Sequence, residues 1–378
     1  MVRVRRLSPE GASLARVVIV GGGILGSMHA WMARRRGHHV VHLEREAEAR
    51  GASVRNFGLM WVGGRAAGPE LALALRSRQL WDEVAASSPA VGLRPQGSLT
   101  VAATPEELDV LEAALARPDA SERGWRLLGP EETRDRNPAV GGKVLGALHC
   151  ALDASVEPRR ASRAVREALT GDPAYTWLPG RTVMEVRPGG VVDHTGAWHE
   201  GDRVVLCCGA DHQGVMAPAL TGAPLRRVRL QMLETGPYPV PLTTTLADGD
   251  SLRYYPAYDV PARAQLPPQD AVSARHQIQL LLVQRDHGGL TIGDTHEYDE
   301  PFDFAVEDAV YANLVARAET VLGRAIPPVA RRWAGVYSQT TDASLYLRRE
   351  LAPGVEVVTG PGGRGMTLSA AIAEETFA

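Results

Sequence analysis

The feature that most constrains the fold is a glycine pattern near the start of the chain. Gly21-x-Gly23-x-x-Gly26 comes directly after the apolar run Arg16 to Val20. Residues 24–36 have helix-forming composition, and a second apolar run over residues 39–43 ends at Glu44. A strand, a glycine turn, a helix and a second strand within about thirty residues form a βαβ unit of the dinucleotide-binding type. The turn lets backbone approach a pyrophosphate, and the helix N-terminus favours the anion.

The position of Glu44, at the end of the second strand, suits the ribose hydroxyls of a dinucleotide and disfavours a 2′-phosphate. The glycine pattern alone fits a nicotinamide or a flavin dinucleotide.

Lys143 is the only lysine among 41 basic residues, and it follows two glycines. Catalysis through a lysine Schiff base is therefore disfavoured. An anionic substrate would meet arginine, whose guanidinium binds anions in a bidentate way.

Composition excludes several classes of protein. A chain of 378 residues predicts about two domains. The net charge of -3, with dispersed basic residues, gives no field for nucleic acid. The 3 cysteines form no C-x-x-C pair, so we expect no metal site and reduced thiols. No apolar run approaches the roughly 18–20 residues of a membrane span. We expect a cytoplasmic protein, and the sequence permits a homo-oligomer.

The composition changes after residue 223, where βα units give way to consecutive strand candidates. The predicted strands are Val228 to Glu234, Ser251 to Pro256, His276 to Gln284 and Gly289 to Gly293. Consecutive strands favour an antiparallel sheet. The chain is therefore predicted to be an α/β protein in which a parallel-sheet domain is joined to an α+β domain.

Several motifs together resemble the D-amino-acid oxidase superfamily of flavoproteins, in its glycine oxidase and sarcosine oxidase branch. The resemblance runs from about residue 16 to the C-terminus. It is carried by the segments 17–26, Glu44, Ser53 to Gly58, Asp153 to Pro158, Val204 to Ala210 and Gly362 to Thr367.

The resemblance implies a Rossmann-like FAD-binding domain interleaved with an antiparallel-sheet substrate domain. The FAD-binding part is predicted over residues 1–85, 148–222 and 336–378, and the substrate part over 86–147 and 223–335. Relatives attach the flavin through a cysteine near the C-terminal glycine turn or a histidine in the early loop. This chain has neither, so non-covalent FAD is expected.

Cofactor contacts carried over by the resemblance fall in every segment of the FAD-binding part. They are Gly21, Gly23, Ile24, Leu25, Gly26, Glu44, Arg45, Ser53, Arg55, Asn56, Phe57, Gly58, Val183, Cys208, Gly209, Gly362, Gly363, Arg364, Gly365, Met366 and Thr367.

The substrate site departs from the relatives at Tyr337, where glycine oxidases place an arginine that grips the substrate carboxylate. Arg364 keeps the second arginine, and His296 follows a strand that projects pocket residues in relatives. We therefore expect His296, Arg364 and Tyr337 to be catalytic. Candidate donors to the substrate anion are Arg55, Arg253, Tyr255 and Gln339, with Arg94 as a further candidate.

The implied activity is FAD-dependent oxidation of a small amine that bears an anionic group. Hydride passes from carbon to flavin N5, and the imine hydrolyses to a carbonyl product and ammonia. Similarity to a clade proposed to oxidise aminophosphonates makes an aminophosphonate the expected substrate. The alternatives are a glycine, sarcosine or D-amino-acid oxidase, a nicotinamide dehydrogenase, and a non-catalytic or dehydrogenase flavoprotein subunit. Thr291 stands where sarcosine oxidases use an oxygen-activating lysine. The sequence therefore leaves open whether the electron acceptor is O2 or another molecule.

Overall fold

The computed structural model describes residues 14–378. Residues 1–13, at the start of the first predicted FAD-binding segment, lie outside the described part. The α-helices are α1 Ile24–Arg35, α2 Pro69–Ser87, α3 Pro105–Leu115, α4 Pro130–Arg136, α5 Pro158–Glu167, α6 Ala217–Leu220, α7 Ser251–Tyr254, α8 Ala271–His276, α9 Asp308–Leu322 and α10 Gly365–Thr376.

The β-strands supply four sheets within the described residues. They are β1 Arg16–Val20, β2 His39–Leu43, β3 Leu59–Met60, β4 Ser98–Ala102, β5 Trp125–Leu128, β6 Gly146–Cys150, β7 Ala154–Ser155, β8 Tyr175–Leu178, β9 Val183–Arg187, β10 Gly190–Asp193, β11 Trp198–Glu200, β12 Arg203–Leu206, β13 Leu225–Pro237, β14 Thr245–Ala247, β15 Leu281–Gln284, β16 Gly289–Gly293, β17 Val329–Thr340, β18 Leu347–Ala352 and β19 Val355–Thr359.

A six-stranded sheet of order β18-β19-β12-β1-β2-β8 carries the glycine turn. Its strands run parallel except for the edge strand β18. Val17 and Ile19 pack into a core with α1 and α10, whereas Val18 and Val20 pack into a core that includes Val191 of β10. Both faces of β1 are therefore covered, which explains its uninterrupted apolar sequence.

An eight-stranded sheet of order β17-β13-β16-β15-β14-β4-β6-β5 is antiparallel except for the β14–β4 pair. Leu290 and Ile292 of β16 pack with Leu314 of α9 in one core. On the other face of β16, a Cβ on Gly293 would lie 3.3 Å from the Phe57 ring. This face of the sheet therefore lies against the early loop of the glycine-turn part, as strand alternation requires.

The strands of the two large sheets alternate along the chain, as an interleaved arrangement requires. The predicted limits at residues 148 and 336 fall inside β6 and β17. In the described part of the chain, no helix combines the length and the apolar character needed to cross a bilayer.

Two predicted strands are wrong. Residues 251–254 form α7, and Leu252 on it is fully buried. In the segment predicted as a strand over residues 276–284, only Leu281–Gln284 forms one. The segment begins at His276, the last residue of α8, and Gln277 then adopts a left-handed conformation. Short apolar alternation cannot distinguish a strand from one helical turn, so packing decides the outcome.

Candidate active site

A cavity of about 1600 Å³ lies at the carboxyl ends of β1, β2, β12 and β19. Ligands of open parallel sheets bind at this edge. The volume exceeds the roughly 300–1,000 Å³ of ordinary small-molecule pockets. The cavity therefore has room for a dinucleotide together with a second, smaller molecule.

The glycine turn requires glycine at two positions. Gly21 has a φ of 110°, and a Cβ there would lie 2.4 Å from the Cys207 carbonyl oxygen. A Cβ on Gly26 would lie 1.8 Å from the Gly21 carbonyl oxygen, so α1 and β1 could not approach each other. Gly21, Gly23, Ile24 and Leu25 line the cavity, whereas Gly26 does not. Gly26 serves helix–strand packing, and its cofactor contact stays a prediction.

The N-terminus of α1 is open toward the cavity. Its first turn carries no acidic residue, and no side chain caps it at Gly23. The Ile24 N–H donates to Ser53 Oγ at 2.9 Å, which fixes the early loop against the helix. The positive end of the helix dipole is thus available to an anion.

Glu44 lies at the cavity wall with its carboxylate already placed by backbone. Oε2 accepts from the Gly22 N–H at 2.7 Å, and Oε1 accepts from the Glu46 N–H at 3.0 Å. Each carboxylate oxygen has a further lone pair, so a ribose hydroxyl can still donate to it. Arg45, Val183, Cys208 and Gly209 also line the cavity, and Arg45 pairs there with Asp211 at 2.6 Å.

The early loop is held by its own side chains. Asn56 Nδ2 donates to the Ala52 carbonyl, and Asn56 Oδ1 accepts from the Gly58 N–H. Ser53, Arg55, Asn56 and Phe57 line the cavity, whereas Gly58 does not. Gly58 has a φ of 68°, and a Cβ there would lie 2.3 Å from the Val156 carbonyl oxygen. Gly58 therefore serves backbone packing, and its cofactor contact stays a prediction.

The C-terminal glycine turn presents a second open helix N-terminus. Residues 362–364 form one 3₁₀ turn that leads into α10, which has no acidic residue in its first turn. Gly362, Gly363, Arg364, Gly365, Met366 and Thr367 all line the cavity. Thr367 Oγ1 donates to the Leu59 carbonyl and accepts from the Trp61 N–H. Two open helix N-termini and a glycine-rich turn fit the pyrophosphate and ring system of FAD.

We name the remaining part of the cavity the substrate chamber. It is lined by Arg65, Glu70, Tyr254, Tyr255, Gln279, Asp294, His296, Tyr337 and Arg364. The Tyr254 and His296 rings lie 4.0 Å apart between centroids. The hydroxyls of Tyr254 and Tyr337 both lie within 4 Å of a Cβ built on Gly363. The chamber is therefore continuous with the C-terminal glycine turn.

Two buried polar atoms of the chamber form no hydrogen bond of good geometry with the described residues, although the Tyr254 hydroxyl lies beside one of them. They are the hydroxyl of Tyr337 and Oε1 of Gln279. Burial raises the pKa of Tyr337 well above its ordinary value, and the neighbouring Tyr254 adds to this. Buried polar groups nearly always find a partner. These two atoms therefore indicate that a polar ligand completes the chamber.

Asp294 is oriented by Gln279 of the chamber, and His296 by a backbone carbonyl. Gln279 Nε2 donates to Asp294 Oδ1 at 3.3 Å and to the Tyr255 hydroxyl at 3.2 Å. His296 Nδ1 lies 3.2 Å from the Gln277 carbonyl oxygen, to which it donates. This bond places a hydrogen on Nδ1.

The Arg364 guanidinium is held by two backbone carbonyls and lies near one carboxylate. Its Nε donates to the Pro361 carbonyl at 3.0 Å, and its Nη2 donates to the Leu345 carbonyl at 3.1 Å. Its Nη1 lies 3.7 Å from Glu70 Oε2. Burial lowers its pKa. Backbone carbonyls therefore hold this cation in the glycine turn without a ligand.

Two predicted anion donors lie away from the chamber. Arg253 does not line the cavity; it pairs with Asp250 at 3.1 Å and donates to the Pro267 carbonyl. Arg94 pairs with Glu157 at 3.2 Å and with Asp286 at 3.4 Å, also away from the cavity. Both predicted substrate contacts are wrong, since these guanidinium groups are already used in ion pairs.

Two further predicted donors line the cavity outside the chamber, each with one polar atom already hydrogen-bonded. Arg55 Nη1 donates to the Ala334 carbonyl, and Gln339 Oε1 accepts from Arg226 Nε at 3.0 Å. Tyr255, in contrast, lies in the chamber and is 5% exposed. Of the predicted substrate residues, the structure thus brings Tyr255, His296, Tyr337 and Arg364 together.

The comparison with known families decides the class of this protein. Residues 16–378 match the family described as DAO, FAD dependent oxidoreductase. The chain belongs to the DAO family of FAD-dependent oxidoreductases. Membership confirms the predictions of FAD as cofactor and of an oxidoreductase, and it confirms the predicted fold class.

Relatives and solved structures agree with membership of the DAO family. An opine oxidase subunit from Agrobacterium tumefaciens (strain Ach5) is 27% identical over 371 residues, which cover 94% of this chain and 90% of the relative. An opine oxidase subunit from Rhizobium meliloti is 25% identical, with 89% and 86% covered. Glycine oxidase from Bacillus cereus ATCC 14579 superposes with a TM-score of 0.76 at 19% identity, covering 96% of this chain and 93% of that one. L-proline dehydrogenase from P. horikoshii superposes with a TM-score of 0.77 at 18% identity, covering 96% of this chain and 92% of that one.

Sequence reasoning missed five residues of the substrate chamber. Tyr254 and Asp294 adjoin predicted residues, and their polar character at the end of an apolar element was a usable signal. The others depend on long-range packing that no local pattern shows. The missed residues are Arg65, Glu70, Tyr254, Gln279 and Asp294.

Proposed function

We propose that this DAO-family protein oxidises the C–N bond of a small amine that carries an anionic group. The observation that carries the proposal is a pair of buried polar atoms, Tyr337 Oη and Gln279 Oε1, which form no hydrogen bond of good geometry with the described residues. A hydroxyl and a carbonyl oxygen can both accept hydrogen bonds, which suits an amine. FAD, when bound, supplies the oxidising power by accepting a hydride from the carbon next to nitrogen.

The anionic group of the substrate is proposed to lie at the arginine end of the chamber. Arg65 Nη1 lies 3.4 Å from Glu70 Oε1, and Arg364 Nη1 lies 3.7 Å from Glu70 Oε2. Two guanidinium groups and one carboxylate leave one net positive charge. In a chamber with little water such a charge attracts an anion strongly.

This charge balance separates two substrate classes. A carboxylate carries one negative charge and matches the net charge of the arginine end. A phosphonate dianion, as in the aminophosphonate favoured from the sequence, would need a second net positive charge. Glu70 neutralises the charge of one of the two arginines. We therefore propose an amino-carboxylate as the first candidate and keep an aminophosphonate as the second. The names of the two curated relatives add an opine to the candidates.

Both curated relatives are named as subunits of an oxidase, which favours a second proposal about assembly. The chain would then transfer electrons within a complex, and its acceptor would be a partner protein instead of O2. This proposal concerns the acceptor and leaves the amine chemistry unchanged.

A product assay tests the proposed function. The purified flavoprotein is incubated with glycine, sarcosine, D-alanine, an opine and 2-aminoethylphosphonate, each with O2 and with an artificial dye acceptor. We expect a carbonyl product and a released amine or ammonia from at least one of them. Turnover with dye but not with O2 supports the assembly proposal. No product from any amine, with flavin bound, would refute the amine chemistry.

A further inference from the structure

We propose that the Asp294 carboxylate is the amine-binding group of the substrate chamber and accepts a proton from the bound ammonium. The inference rests on the proposed function, because it assigns a subsite within the same chamber. It concerns a residue whose chemistry the sequence did not single out.

The Asp294 carboxylate is held in place from one side only. Its backbone pairs with Gln279 in both directions, through N–H to O bonds of 2.9 and 3.2 Å. Gln279 Nε2 donates to Oδ1 at 3.3 Å. Asp294 is 5% exposed and lines the cavity. The carboxylate is thus buried, fixed by Gln279 and adjacent to the chamber.

The Asp294 carboxylate forms no ion pair with any of the described residues. Burial raises its pKa, and only His296 and hydrogen bonds oppose this effect. An unpaired buried carboxylate is expensive and is retained in proteins chiefly where it has a partner or a task. An ammonium group in the chamber would supply the missing partner.

Apart from His296, the titratable groups near Asp294 are four tyrosines. Burial raises the pKa of Tyr254 and Tyr255 in and beside α7 and of Tyr337 in β17, and it also raises that of Tyr298. Two arginines near these tyrosines stack on aromatic rings and form no ion pair with Asp294. Arg65 lies 5.4 Å from the centre of the Tyr255 ring, and Arg226 lies 3.8 Å from that of Tyr298.

The chamber therefore has two ends of opposite charge. Arg65 and Arg364 gather around Glu70 at one end, while Asp294 and the free Gln279 Oε1 form the other. A zwitterionic amine would lie with its anion toward the arginines and its nitrogen toward Asp294. The opposite orientation would place like charges together.

The proton step follows from this placement. The ammonium N–H bond breaks and an O–H bond forms on Asp294, which leaves a neutral amine and a neutral carboxylic acid. The nitrogen lone pair is then free to assist loss of hydride from the adjacent carbon. A raised carboxyl pKa favours this transfer, since the basicity of Asp294 approaches that of an amine more closely.

The test separates the two ends of the chamber with two probes. Methylammonium carries only the cation, and acetate carries only the anion. Each is titrated into the holoenzyme while the flavin spectrum and the melting temperature are followed. Asp294→Asn should weaken methylammonium binding by about 10- to 100-fold and change acetate binding less than about twofold. Asp299→Asn, an exposed aspartate five positions later, is the matched control and should change neither.

Several outcomes overturn the assignment. Unchanged methylammonium binding in Asp294→Asn would refute it, as would an equal loss of both probes. If this variant does not retain flavin, Gln279→Leu replaces it, because it removes the donor to Asp294 and should move the acidic limb of kcat/KM to higher pH. An unmoved limb also refutes the assignment. Wild-type enzyme that binds methylammonium but oxidises no amine would refute the proposed function alone.

Discussion

Nη1 of Arg364 lies 3.7 Å from Oε2 of Glu70, which joins the C-terminal glycine turn to the first turn of α2. The same carboxylate faces Arg65. Glu70 thus sets the charge of the anion end, because it cancels one of two guanidinium groups.

Replacing Glu70 by glutamine should strengthen anion binding. Removal of one negative charge beside the site should tighten acetate binding about threefold to tenfold, read from flavin difference spectra. Glu83→Gln is the matched control, since Glu83 lies on the same helix but pairs with Arg35 at 2.5 Å, away from the cavity. Weaker acetate binding in Glu70→Gln would show that Glu70 acts by positioning the arginines.

Tyr337→Phe should separate activity from stability. The Tyr337 hydroxyl is buried and forms no hydrogen bond of good geometry with the described residues, so its removal should leave the melting temperature unchanged or slightly raised. Amine oxidation should fall by about tenfold or more in kcat/KM. Tyr258→Phe is the contrasting variant, because the Tyr258 hydroxyl bonds Thr100 at 3.0 Å outside the cavity. It should lose stability and keep activity; the reverse pattern would contradict the placement of Tyr337.

How far the sequence predicted this site depends on the range of the contacts involved. The cofactor end was predictable because Gly21 and Glu44 act through local geometry, a tight turn and a strand end. The position of Arg364 was predictable too, but its partners were not. The Leu345 carbonyl and Glu70 are brought to it by packing, so only the folded chain shows that this cation is already bound.

The second source of error was secondary structure in the substrate part. Ser251 to Pro256 alternates as a strand would, yet α7 forms there because Leu252 enters a core. This local difference turns Tyr254 toward His296 and Arg253 toward Asp250. Because a strand was predicted where α7 forms, Arg253 was selected although it lies outside the chamber, and Tyr254, which lines the chamber, was missed.

Asp294→Asn should stabilise the protein at neutral pH. Burial raises the carboxyl pKa in the folded state, so the folded protein binds this proton more tightly than the unfolded chain. Stability then falls as pH rises from the ordinary value of about 3.9 through the raised one. The amide variant escapes this loss. Its melting temperature should exceed that of wild type at neutral pH, and the difference should shrink below about pH 4.

Asp193→Asn should change the melting temperature at neutral pH in the opposite direction. Hydrogen bonds from Thr195 and His199 hold the pKa of Asp193 well below its ordinary value. This variant should lose stability at neutral pH. A gain in Asp193→Asn, or a loss in Asp294→Asn that is largest at neutral pH, would contradict the assigned environments.

The flavin should leave the protein on acid denaturation, because we expect a non-covalent cofactor. Burial raises the pKa of the cavity thiol Cys208 to about 12, which keeps it in the unreactive thiol form at neutral pH. After precipitation with trichloroacetic acid, the yellow colour should stay in the supernatant. Colour in the pellet would contradict this expectation and direct attention to Cys208 and His212, which both line the cavity.

The most direct test of the amine chemistry is anaerobic mixing of the purified yellow protein with each candidate amine while the flavin absorbance is recorded. We predict that at least one amine with an anionic group bleaches the flavin, and that the same acid without its amine does not. Yellow protein that no amine bleaches, in the presence or absence of partner proteins, would contradict the proposed amine oxidation.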